Sequence, residues 1–173
     1  MRTVNPMNRK RIKDRCWMVL SLSFVICQLS INVACGTMTS AERAERALAV
    51  ENALATRHYA VSIQVMYPTR GGAVNVTPDF SLKVEGDTLV SYLPYFGRAY
   101  NVPPGGGKGL NFTAPIKRYE AAKDKKGRTH VLIVADNDED VITYHLEIVD
   151  NGRASIDVRC RERESISYSG ELE

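Results

Sequence analysis

The sequence predicts a mainly β domain, α+β at the margin, in which one N-terminal helix precedes an antiparallel meander of about eight strands. Three observations carry that expectation. The apolar period changes from helical to two at His58. Alternating segments with matching apolar faces then recur to the C-terminus, and short turn-forming clusters such as Asp124 to Gly127 and Asp150-Asn151-Gly152 separate them. A meander of this kind closes best as a strongly curved sheet, an open barrel or a two-layer sandwich.

The first element is a leader. Arg2, Arg9, Lys10, Arg11, Lys13 and Arg15 precede an apolar run from Trp17 to Ala34. A basic head before a greasy middle has the order of a secretory signal, and Ser21, Ser23, Gln28, Ser30 and Asn32 make the run a poor permanent span. The run ends in Asn-Val-Ala-Cys-Gly, residues 32 to 36, which resembles a lipobox with Asn32 in place of the usual Leu. Cleavage and lipidation at Cys35 are therefore expected, with residues 1–34 as signal peptide and the membrane engaged through the N-terminal lipid. Residues after Cys35 carry no early acidic cluster, so a periplasm-facing anchor in the cell envelope is the first choice.

Removing the leader reverses the sign of the charge. The chain counts 23 Lys and Arg against 20 Asp and Glu; residues 1–34 hold six and one of these, leaving 17 against 19. That balance gives no support for nucleic-acid binding. Cys16 and Cys27 leave with the leader, so with Cys35 acylated only Cys160 remains and no internal disulfide forms. Cys160 continues the alternation Ala154, Ile156, Val158, which makes it a buried thiol of low reactivity.

Residues 35–57 form the lipidated N-terminus and a helical segment, and 58–173 one β-rich domain. Thr39-Ser-Ala-Glu42 has capping-box spacing, and the thin stripe Ala44, Ala47, Leu48, Leu54 and Ala55 lets the helix lean on the domain or serve as a stalk. The first strand presents Tyr59, Val61, Ile63, Val65 and Tyr67 on one face. Phe80, Leu82 and Val84 then face Thr88, Val90 and Tyr92 across a three-residue turn, Glu85-Gly86-Asp87. Ile116 to Ala122 turns through Asp124 to Gly127 into Thr129 to Ala135, which turns through Asp136 to Asp140 into Val141 to Val149. A three-residue loop at Asp150, with Gly152 left-handed, sets Ile148 against Ala154, Leu146 against Ile156 and Tyr144 against Val158. The last strand holds Ile166 and Tyr168, and Asn101 to Gly109 is a Pro/Gly loop.

Leu93 to Tyr100 reads Leu-Pro-Tyr-Phe-Gly-Arg-Ala-Tyr, preceded by a Val-Glu-Gly-Asp turn and followed by a Gly-rich loop, Asn111-Phe112 and a closing Ile-Ser-Tyr-Ser-Gly. This ordered set resembles the domain of unknown function 4251, found in lipoproteins and secreted proteins of Bacteroidota, over roughly residues 45 to 172. The resemblance implies a β-rich lipoprotein and carries no catalytic residue. Asp87-Thr88-Leu89 resembles the short sequon on which exported Bacteroidota proteins carry O-linked glycans, making Thr88 a glycosylation candidate. Tyr92, Tyr95, Phe96 and Tyr100 cluster around Pro94 and Gly97, where they seal the end of a core or, with Arg98, contact a ligand or partner.

Other constellations yield less. Gly105 to Gly109 lacks the Ser or Thr of a phosphate loop after Lys108. Asp136, Asp138 and Asp140 have calcium-loop spacing, yet Val141 stands where the loop needs Gly, so a solvated hairpin tip is expected. Adjacent strands set His130 opposite His145 or Glu147, a two-ligand beginning of a zinc site without a third. Three histidines and no nucleophile elbow argue against an enzyme, and no cofactor is expected. The expectation is a non-enzymatic envelope module that binds protein or glycan. Its rivals are a carrier holding an apolar molecule in a cup lined by Tyr59, Phe80, Tyr92 and Tyr144, and a hydrolase using His58, His130 or His145.

Overall fold

The structure, a computed structural model, describes residues 38–77, 79–101 and 107–173. The leader and Cys35 lie outside the described residues. Thr39 caps helix α1 (Ser40–Thr56): its side chain accepts from the Glu42 amide while the Glu42 carboxylate accepts from the Thr39 amide. Arg57 ends the helix in the left-handed conformation, φ 54°.

Among the described residues nine strands follow: β1 (His58–Pro68), β2 (Val74–Asn75), β3 (Ser81–Glu85), β4 (Thr88–Leu93), β5 (Leu110–Lys123), β6 (Arg128–Asp136), β7 (Val141–Val149), β8 (Arg153–Cys160) and β9 (Ile166–Leu172). All described pairings are antiparallel and run in the order β2-β1-β3-β4-β5-β6-β7-β8-β9, with β1 also paired to β9. Leaving aside the two-residue β2, which lies beside the far end of β1, the remaining eight strands close into a barrel. Closure needs β9 to approach β1 closely at Gly170. Any Cβ there would run into the Ser62 carbonyl, so the position admits only glycine.

The loop after β7 is as the sequence predicts: Ile148 pairs Ala154, Leu146 pairs Ile156, Tyr144 pairs Val158, and Gly152 has φ +88°. Two other registers differ. The β3–β4 turn has two residues, Gly86-Asp87, with Glu85 opposite Thr88, Val84 opposite Leu89 and Leu82 opposite Ser91. Gly86 carries φ +62°, as the first central position of a type II′ turn requires. The one-residue change flips the strand, so Leu89, Ser91 and Leu93 face inward while Val90 and Tyr92 face out. In β1 the register with β9 shifts between Ile63 and Val65, putting Met66 inside and leaving Tyr67 44% exposed.

An eight-stranded barrel has an interior just wide enough for side chains to fill. Here Ile63, Leu82, Leu89, Leu93, Leu110, Ile133, Ile142, Tyr144, Leu146, Ile148, Ile156 and Tyr168 are the largest fully buried side chains. The Tyr144 hydroxyl donates to Ser91 Oγ (3.1 Å), and Ser91 Oγ donates to the Leu110 carbonyl (2.7 Å), so the polar pair is satisfied within the core.

One barrel end is covered by α1. Val50 and Leu54 join the core, Arg46 donates to the Leu172 carbonyl (2.9 Å), and the Gly86 amide donates to the Arg57 carbonyl (2.8 Å). The helix thus leans on the barrel and is no free stalk. At the other end gather the segment after β1, the 94–101 loop, the Asp136–Asp140 turn and the 161–165 loop.

Candidate functional site

At this loop end the chain from Pro94 to Tyr100 is clamped to the segment between β8 and β9. Ala99 bridges Arg163, the Tyr100 amide donates to the Glu162 carbonyl (2.8 Å), and the Glu164 amide donates to the Arg98 carbonyl (2.9 Å). The Arg98 amide donates in return to the Glu164 carboxylate (3.2 Å). The Tyr95 hydroxyl lies within bonding distance of the carbonyl oxygens of Arg98 (2.9 Å) and Glu164 (3.0 Å). Burial, with the nearby Cys160 and Glu164, raises its pKa, so the phenol stays a neutral donor. From inside the barrel the Tyr168 hydroxyl donates to the Pro94 carbonyl (2.6 Å).

These bonds hold open a cleft of about 300 Å³ lined by Arg70, Tyr95, Phe96, Gly97, Arg98 and Glu164. Phe96 is 63% exposed, and Arg70 stands 3.5 Å from the Glu164 carboxylate. The cleft is therefore lined by an exposed aromatic side chain and two arginines, with a carboxylate that is mostly buried. Of the five aromatic and basic candidates, Tyr95, Phe96 and Arg98 meet here. Tyr92 and Tyr100 do not line the cleft: Tyr92 lies on the outer wall with its ring stacked on Phe80 at 5.2 Å, and Tyr100 points to solvent at 69% exposure. Arg70 and Glu164 complete the cleft and were not foreseen, since they lie 23 and 64 residues from the Leu93–Tyr100 motif in sequence.

Behind the cleft the acidic turn differs from a solvated tip. Asp140 is buried, and its carboxylate accepts from the amides of Arg161 (2.9 Å) and Glu162 (3.2 Å), latching the β6–β7 turn to the 161–165 loop. The Asn137 side chain accepts from the Asp140 amide (2.8 Å), and the Asp136 side chain accepts from the Asp138 amide (3.1 Å). Among the described residues no group of three or more acidic, His or Cys side chains converges as a metal would need. Arg163, 7% exposed, reaches Glu139 at 3.4 Å and lies over the Tyr95 ring. Cys160 is a free thiol whose pKa is pushed up to about 12 by burial and by Asp140, with Arg163 opposing. It is not poised as a nucleophile.

The histidines lie elsewhere. His130 pairs Glu147 across the outer wall, while His145 pairs Leu132. The nearest carboxylates to His130, Asp124 at 3.5 Å and Glu147 at 3.9 Å, are both bonded to Arg128. His58 Nδ1 lies 2.7 Å from the Thr56 carbonyl at the helix end. Thr88 opens β4 at that same end, half-buried between Glu85 and Pro115.

The family model for a domain of unknown function, DUF4251, matches residues 41–172. A solved structure of a DUF4251 family protein from Bacteroides eggerthii DSM 20697 is similar in fold, with a TM-score of 0.55 and 15% identity over 75% of this chain and 86% of that one. No curated protein matches. The match spans helix, barrel and loop end together, and this chain belongs to the DUF4251 family.

Proposed function

We propose that the chain is an envelope lipoprotein, anchored through lipid on Cys35 and facing the periplasm, whose barrel is a non-enzymatic binding module. Its contact surface is the loop end. The observation that carries this reading is the contrast between a filled barrel interior and an exposed Phe96 and Arg98 held on a loop whose backbone is bonded at four points, the Pro94 carbonyl, the Arg98 amide and carbonyl and the Tyr100 amide. Rigid presentation of an aromatic and an arginine lowers the ordering cost of association. Beside its one carboxylate the cleft's lining holds no histidine, serine, threonine or cysteine, so it offers no nucleophile with a base.

The test is a photo-crosslinking residue placed at Phe96 in cells, with Lys125 at the helix end as the control. Irradiation should give a discrete covalent adduct from position 96 and none from 125. Cys35→Ser in the same cells should lose both fatty-acid labelling and the adduct. Equal adducts from the two positions, or unchanged labelling of the Cys35→Ser chain, would refute the reading.

A further inference from the structure

We propose that the loop-end cleft binds an acidic sugar residue, a ring carrying one carboxylate, at the end of a glycan. This rests on the reading of the loop end as the contact surface and names its ligand class. Three chemistries meet in the cleft. The Phe96 ring offers an apolar face for the C–H face of a sugar ring. Arg98 has no carboxylate within ion-pair distance of its guanidinium among the described residues, and Arg70 is held only at 3.5 Å by Glu164, so two donors of planar fork geometry remain for a ligand carboxylate. The Glu164 carboxylate keeps acceptor capacity for a sugar hydroxyl beyond the Arg98 amide and Arg70. A cleft of about 300 Å³ holds one ring, not a chain.

A peptide ending in a carboxylate fits less well, because its capture uses free backbone amides in a nest or at a sheet edge. Here the amides of Arg98, Tyr100 and Glu164 are already donated within the clamp. The charged donors left to the cleft are the side chains of Arg70 and Arg98, which suits a sugar carboxylate.

The experiment is saturation-transfer NMR on the full chain in detergent with three probes: a methyl hexuronoside, the matching neutral methyl hexoside, and a short peptide with a free C-terminal carboxylate. The hexuronoside should bind at least about tenfold more tightly than the hexoside. Arg98→Gln should abolish that preference and Phe96→Ala should weaken both sugars, with unchanged circular dichroism because both side chains are exposed. Equal affinity for the two sugars, binding of neither, a preference that survives Arg98→Gln, or tighter binding of the peptide would each overturn the inference. A Phe96 crosslink that persists in cells while the hexuronoside fails would leave the contact surface standing and remove only the sugar.

Discussion

Ser91 is the residue that most changes how the barrel is read. A polar side chain between Val90 and Tyr92 looks like the outer face of a strand, yet it points inward, where it accepts from the buried Tyr144 hydroxyl. The same residue hid the two-residue turn, since Ser91 interrupts the apolar alternation of Leu89 and Leu93 on the face that lies inside. Removing Ser91 Oγ strands the Tyr144 hydroxyl, so Ser91→Ala should cost about 1–3 kcal/mol, whereas Tyr144→Phe should cost about 1 kcal/mol because Ser91 keeps its bond to Leu110. The double substitution should cost less than the sum by about 1 kcal/mol, as urea unfolding of the four proteins would show. Additive costs would mean that the two hydroxyls do not act as a pair. Arg70 and Glu164 show the other limit of local reading: each is unremarkable in sequence and acquires meaning only where distant loops meet.

At the scale of elements, two features whose chemistry is local were legible, and one set by long-range pairing was not. The capping box at Thr39 and the left-handed Gly152 are written in neighbouring residues, and the structure places both where the spacing predicts. The bulge in β1 depends on β9, about a hundred residues on, and nothing near Ile63 announces it. The β5–β6 turn offers a pH test. Asp124 accepts from the amides of Arg128 (3.0 Å) and Lys126 (2.7 Å) and from the Arg128 side chain (2.9 Å). Chiefly through the Arg128 amide, these hold its carboxyl well below the usual carboxylate range. A depressed folded pKa adds stability that is fully present above the unfolded value of about 4 and is lost as pH falls through the folded value. Asp124→Asn should therefore lower the urea midpoint at neutral pH, and its gap from the unaltered protein should close as the pH is taken down through the acid range below about 4. A gap that stays constant into strong acid would show that the charge contributes nothing.

For the molecule as a whole, closure was the step that sequence left open between a curved sheet, an open barrel and a sandwich, because it is a pairing between the first and last strands. With β1 on β9 the sheet has no long free edge, and the inward residues of eight strands meet in one core. That core argues against the cup that a carrier of apolar molecules needs. Of the four residues expected to line it, Tyr92 is on the outer wall stacked with Phe80, and Tyr59 is buried with its hydroxyl 3.4 Å from that of Tyr119 beneath Arg57. Tyr144, the fourth, is bonded within the packed interior. A lipid chain would have to displace side chains already in contact, at a cost close packing makes large. Residues 39–173, which form one compact unit, should therefore give the bare chain mass in native mass spectrometry after purification from envelope extracts without added ligand. A retained species of fixed mass, released on unfolding and unaffected by Phe96→Ala, would place a ligand inside the barrel and move the carrier reading ahead of the contact-surface reading.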